Sequence, residues 1–344
     1  MKVTRQQLHQ ATQQGILEAQ QAEALWQFLN THRDETPSFK AAHILYYFGG
    51  LLAIGAMSLF MTLGWEQFGG TGLMLIALMY AGVGIALLET VFNKAHLSIP
   101  AGIVSAFVVV LTPLAIYGLQ SSLGMMGSTH QYRDYHMLID WRWIIMELGT
   151  LVVGVLMLWR YQLPFSVMPI AVTLWYMSMD LTPFLFGDED HSWQMRKIVS
   201  VCFGAGMLVF AFLVDLRHRF GKDYAFWLYL FGIFAFWGGL SSMDSGSEFG
   251  KFLYFCINLA MIAVGAMLSR RAFAVFGGLG AAGYVGHLAY QVFKDSLMFP
   301  FALTFIGFAV IGAGIWWQKH EHAFTARLRS MLPNAVRELL EQER

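Results

Sequence analysis

From Ala41 to Gln318 the chain is a succession of apolar runs of about 17–25 residues, separated by short polar or glycine-bearing joints. A helix needs ~20 apolar residues to cross the hydrocarbon of a bilayer. The pattern therefore predicts an all-α, polytopic transmembrane helical bundle. Ten spans are expected, near 41–64, 71–92, 98–119, 142–159, 163–186, 198–214, 225–243, 252–268, 273–293 and 298–318. Trp65, Trp141, Trp143, Trp159, Trp193, Trp316 and Trp317 fall at or beside these ends, where amphipathic rings favour the membrane interface.

The flanks read differently. Residues 1–40 are polar and predict a helical hairpin. Thr4 and Gln7 fit a capping box, Gly15 fits a C-terminal stop, and Ala22, Leu25, Trp26 and Leu29 recur with helical spacing along a second helix. Two short helices bury little surface alone. The apolar face is therefore expected to pack on the bundle, on a second copy in a homo-oligomer, or on a protein partner. No apolar run lies near Met1, so the first span is expected to act as its own insertion signal. Residues 319–344 form a cytoplasmic tail in which Phe324, Leu328, Met331 and Leu332, accompanied by Arg327, Arg329 and Arg337, fit one side of an amphipathic interfacial helix, or of a solvated one.

Composition sharpens this picture. Of 344 residues, 57% are hydrophobic and only 13% charged, with a mean hydropathy of +0.52. Soluble domains carry roughly 25% charged residues. The formal net charge is zero, which argues against a nucleic-acid partner. Cys202 and Cys256 both lie inside apolar runs and do not form a metal or disulfide pattern. With ten spans, 16 of the 22 Lys and Arg residues fall on the side that carries both termini. The positive-inside rule makes that side cytoplasmic.

The segment LHQATQQGILEAQQAEALWQFL, Leu8 to Leu29, resembles the opening hairpin of a family of uncharacterised bacterial integral membrane proteins, a domain of unknown function. AHILYYFGGLLAIGAM, Ala42 to Met57, resembles that family's first span, followed by Trp65, Gly69 and Gly70. The resemblance implies a multi-pass protein of the bacterial inner membrane. It brings no activity, cofactor or catalytic residue with it.

Several motifs have structural readings that outweigh the chemical ones. A GxGxxG at Gly278, Gly280 and Gly283 lies within a predicted span rather than after a strand, so close helix packing is expected there. His320 and His322 are two apart and cannot share a helix face, so no metal site is assigned to them. His130, Asp134, His136, Asp188, Glu189, Asp190 and His191 belong to outer joints, where acidic residues are freely allowed. Glu89 is expected to pair with Lys94 or Lys40 at the inner interface.

Four intramembrane polar residues, Glu147, Asp180, Asn258 and His287, are the binding or relay candidates. Such groups are expensive in hydrocarbon and face an interior or a cavity. Each is expected about five to seven residues, roughly 8–11 Å, from the outer end of its span, so the four would form one polar layer. The short joint Arg160–Gln162 makes the fourth and fifth spans antiparallel neighbours, bringing Glu147 and Asp180 to one level, where two carboxyls would share a proton. Ser269 to Ala272 does the same for Asn258 and His287. Such a layer serves either a functional cavity or interhelical hydrogen bonding. Three functions remain open: a transporter or permease, a membrane-embedded enzyme using Glu147, Asp180 and His287, or a non-catalytic scaffold or sensor docking through the hairpin. No HExxH, GxSxG or P-loop occurs.

Overall fold

The structure is a computed structural model. It describes residues 14–31, 41–92, 97–125, 141–182, 189–217, 223–243, 245–268 and 270–293, with single positions at Leu8, Ala11 and Thr12 and between 300 and 315. The Thr4–Gln7 cap, most of the first outer joint, Lys40, Lys94, the bulk of the tenth span and the C-terminal tail lie outside the described residues.

Within residues 8–31, Gly15 takes φ +71°. The Ile16 N–H donates to the Ala11 carbonyl (2.9 Å) and the Gly15 N–H to the Thr12 carbonyl (3.1 Å). This pair of bonds is the Schellman closure, which consumes two carbonyls that a helix end leaves orphaned. The chain restarts at once. The Gln21 side chain accepts from the Glu18 N–H (3.2 Å), capping helix α1, Ala19–Thr31. Leu8 and Ala22 are buried, whereas Leu25 remains exposed.

Helix α2, Ala41–Leu87, covers the first two predicted spans, broken inside only at Gly69 (φ 60°, ψ 175°). That conformation is open to glycine and strained for any residue with a Cβ. The two arms fold back on each other. Residues Leu45–Ala53 of the first arm and Tyr80–Leu87 of the second line one apolar cleft of about 440 Å³ with Pro100–Phe107. A π-helical turn, Leu88–Phe92, ends the hairpin.

Helix α3, Ser98–Ser122, runs antiparallel to the second arm through glycine contacts. A Cβ at Gly118 would lie 2.6 Å from the Gly70 carbonyl oxygen and from the Met74 nitrogen, so the two backbones touch. Helix α4, Trp141–Tyr161, is followed by a 3₁₀ turn, Pro164–Ser166, and helix α5, Val167–Asp180. The 3₁₀ turn is pinned to α3 by a buried Ser105–Ser166 hydroxyl pair (2.8 Å).

Helix α6 spans Glu189–Arg217 and α7 spans Ala225–Ser241. Helices α8, Glu248–Leu268, and α9, Arg271–Phe293, form a further hairpin. Helix α5 runs to Asp180, and the last residues of the fifth predicted span, 183–186, lie outside the described residues. The sixth is longer: α6 begins at Glu189, so the predicted joint Gly187–Trp193 is already helical from Glu189.

Short α5 is the hub. It packs on α4, α6 and α7, and α7 in turn packs on α9. One core joins Val167 and Ala171 of α5 to Met207 and Ala211 of α6, Tyr229 and Ile233 of α7, Met261 of α8 and Phe273 of α9. Smaller cores unite α2, α3 and α4. Among the described residues every regular element is helical, and six segments are long and apolar enough to cross a membrane: Phe68–Thr90, Ser98–Ser122, Trp141–Tyr161, Trp193–Arg217, Glu248–Leu268 and Arg271–Gln291. Ile44–Met57 and Ala225–Ser241 are shorter apolar helices.

Candidate functional site at the α4–α5–α6 junction

The antiparallel register of α4 and α5 is set near their middles. A Cβ on Gly154 would lie 2.8 Å from Ile170, so the absence of a side chain there lets the two helices close. Moving toward the far end, Glu147 climbs one helix as Asp180 ends the other. The α5–α6 register comes from Trp175, whose indole N–H donates to the Ser200 hydroxyl (2.9 Å), which itself donates to the Ala235 carbonyl (2.8 Å). One turn beyond Ser200, Arg196 reaches the level of Asp180.

Glu147 and Asp180 act on each other, and Arg196 acts on Asp180 through its charge. The carboxyls of Glu147 and Asp180 are hydrogen-bonded to each other, and Arg196 is the neighbouring charge of Asp180. A hydrogen bond between two carboxyls requires a proton on one of them, since a carboxylate only accepts. Glu147 is buried at 8% exposure. Its Oε2 and the Nε of Arg196 are buried without a hydrogen-bond partner among the described residues. From α3, Gln120 (4% exposed) donates to the Arg142 carbonyl (3.3 Å) at the head of α4, and its own amide oxygen is left unused. A buried polar group without a partner is unfavourable, so these unsatisfied donors and acceptors mark the junction as chemically unusual.

Asn258 and His287 do not join this pair. Asn258 is fully buried between α7, α8 and α9. Its side chain accepts from the Trp237 indole N–H (3.1 Å) and donates to the Tyr254 carbonyl (2.8 Å), and it fills the notch left by Gly280. Gly277 lies against the backbone of the same residue. Of the GxGxxG glycines, Gly280 serves helix packing, together with Gly277 just before the motif, while Gly278 and Gly283 face open space. His287 is two turns from Gly280, within electrostatic reach of Glu248 at the head of α8, and its Nε2 is buried without a hydrogen-bond partner among the described residues. The expected single layer therefore separates into a carboxyl pair, an amide node and a histidine. The cause is that α7 stands between α5 and α9, and Asn258 sits roughly 15 Å along α8 from Glu248 at ~1.5 Å per residue.

The opposite end carries a string of polar contacts that the sequence did not reveal. Glu89 accepts from Arg160 and from the Tyr161 hydroxyl, both at 2.9 Å, while the lysines expected beside it lie outside the described residues. The next residue, Gln162, accepts at its carbonyl from the Tyr224 hydroxyl (2.7 Å). Beside Tyr224, Asp223 accepts from Arg270, which also binds Asp215 (2.6 Å) and lies over the Tyr229 ring at 5.3 Å. Burial alone would pull the Arg270 guanidinium down, but Asp223 and Asp215 outweigh it and hold the group above its ordinary range. It stays charged at every working pH.

The fold and its apolar surfaces define a multi-pass helical membrane protein. Comparison of the chain with protein-family models, with curated proteins and with solved structures finds no match. Among the described residues no group of three or more His, Cys, Asp or Glu side chains is placed to hold a metal ion.

Proposed function

We propose that the chain is a membrane carrier whose working element is the Glu147–Asp180 carboxyl pair, loaded and unloaded with a proton as a solute crosses. The protein lies in a bacterial inner membrane, as its resemblance to the uncharacterised family implies, with the Arg270 end in the cytoplasm. The observation that carries this reading is the interaction of two carboxyls from α4 and α5, with Arg196 of α6 acting on Asp180. Two acids in hydrocarbon are poor glue, since a single interhelical hydrogen bond needs neither charge. A proton relay requires them, because each can hold the proton that the other releases.

The test is proton movement in proteoliposomes containing the purified protein, read with an internal pH dye during addition of a panel of amino acids, sugars, monocarboxylates and inorganic ions. Glu147→Gln and Asp180→Asn should each lower solute-dependent proton flux at least tenfold while eluting as monodisperse protein. Undiminished flux in both variants, or loss that merely follows the amount of folded protein, would refute the reading.

A further inference from the structure

We infer that the cleft between the two arms of α2 and helix α3 is a binding site for one acyl chain of a phospholipid, in the leaflet at the Arg160 end. It stands on different helices from Glu147 and Asp180, so it neither needs the carrier reading nor decides it. Its volume of about 440 Å³ falls inside the ~300–1,000 Å³ of small-molecule sites. Residues 45–53 of the first arm, 80–87 of the second and 100–107 of α3 form its three sides.

The cleft is built by where the glycines stand. A Cβ on Gly50 would fall 2.5 Å from Ile103, and one on Gly84 would fall 2.7 Å from Val108. Each arm therefore closes on α3 through a glycine. Gly49, beside Gly50, has no atom within 4 Å of the place its Cβ would take. With Ala53 it leaves the space between the two seams open. The first arm is also held from elsewhere. Tyr47 stacks on Phe165 at 6.4 Å between ring centroids, and Phe165 rests on Gly102 of α3 and edge-on against Trp227 at 4.6 Å. These contacts keep the first arm at its distance from the second.

The surroundings choose the occupant. The cleft follows the last turns of the span Phe68–Thr90 and the first turns of Ser98–Ser122, so it opens into hydrocarbon. No charged side chain lines it, and the hydroxyls of Tyr46 and Tyr80 are its only polar side-chain groups. A buried water needs 2–4 polar partners and finds too few here. An empty groove would forfeit dispersion contacts along all three walls. A hydrocarbon tail restores them and asks for no hydrogen bond. The length agrees. Residues 45–53 cover ~12 Å at ~1.5 Å per residue, close to the ~15 Å that one leaflet contributes to a ~30 Å core. The position agrees as well. Leu87 lies two residues before Glu89, which binds Arg160, so the cleft starts at that interface and stops near the mid-plane. Leu45, Tyr80, Val83 and Leu87 on its rim are exposed, which makes the mouth continuous with the lipid-facing surface.

The experiment places the full-length protein in vesicles of phosphatidylethanolamine and phosphatidylglycerol containing a phospholipid with a photoreactive group midway along one acyl chain. Irradiation and peptide mass spectrometry locate the adducts. Labelling within residues 45–53, 80–87 and 100–107 should exceed that at the exposed Leu75, Leu78, Val152 and Leu156 about fivefold, the equivalent of ~1 kcal/mol. Gly49→Phe fills the cleft and should bring its labelling down to the level of those four residues. Gly82→Phe is the control: Gly82 also meets open space on α2 but lies outside the cleft, and labelling should be unchanged. Gly49→Leu should give an intermediate loss, and decides the matter if the phenylalanine variant is not monodisperse. Labelling spread evenly over cleft and open surface would overturn the inference, as would cleft labelling that survives the filling substitution in monodisperse protein. So would a dimer that Gly49→Phe dissociates, since the occupant is then a second copy of the chain.

Discussion

Replacing Gly280 by alanine tests the packing of α8 on α9 most sharply. The added Cβ would overlap the Asn258 carboxamide, which is fully buried and has nowhere to retreat. Two responses are available. If the carboxamide swings aside, the Trp237 indole N–H loses its acceptor, which costs ~1–3 kcal/mol for a buried donor, and nearer 0.6 kcal/mol where the unfolded chain finds partners within the membrane. If it stays, the helices must part, and such overpacking costs ~1–3 kcal/mol. The backbones already touch at Gly277, so α9 cannot slide to share the load. Alanine is itself the better helix former by ~1 kcal/mol, so the net loss expected is about 1–2 kcal/mol. For a chain of this length the loss corresponds to a Tm lower by roughly 1–3 °C, from the per-residue entropy of unfolding. Tryptophan fluorescence of micellar protein at one fixed scan rate measures it. Gly283→Ala, which meets open space, is the control and should be neutral or mildly stabilising. In an Asn258→Ala background the overlap vanishes, so Gly280→Ala should lose most of its effect, a coupling of ~1 kcal/mol or more. An equal cost in both backgrounds would refute the reasoning, as would an unchanged Tm in the single variant.

Two further outcomes are expected. Arg270→Gln leaves Asp215 and Asp223 facing each other with most of their surface covered, which should cost about 3 kcal/mol and be largely restored by adding Asp215→Asn and Asp223→Asn; urea or thermal unfolding in micelles reads both, and no rescue would remove the charge argument. With Cys202 and Cys256 replaced by serine, single cysteines at Ser242 or Ser247 should react with an impermeant thiol reagent applied to intact cells, and cysteines at Thr90 or Arg217 should not; the reverse pattern would invert the proposed orientation.

The sequence by itself determined what the bilayer dictates. Hydrocarbon forces every backbone polar group to pair within its own segment, so long apolar runs can only be helices, and six of them among the described residues are long and apolar enough to cross. Gly15 announced its turn because αL backbone is a local property. Even the meeting of Glu147 and Asp180 was legible, since a three-residue joint leaves two spans little choice but to lie side by side.

What tertiary structure alone decided concerns partners far apart in the chain. In lipid, helices associate through shape and hydrogen bonds rather than hydrophobic patterning, so nothing in the apolar periodicity says which face meets which neighbour. The position of α7 between α5 and α9 separated Asn258 and His287 from the carboxyl pair. The return of α2 at Gly69 set the first cleft, and the early start of α6 brought Arg196 within reach of Asp180. Glu89 found Arg160 on another helix, and Arg270 gathered Asp215 and Asp223 from another joint. Side chains at helix ends choose among charges that only the packing of whole helices brings near, and that packing is settled by small residues such as Gly118, Gly154 and Gly280, whose role is invisible until a backbone or a carboxamide is found in the space they leave.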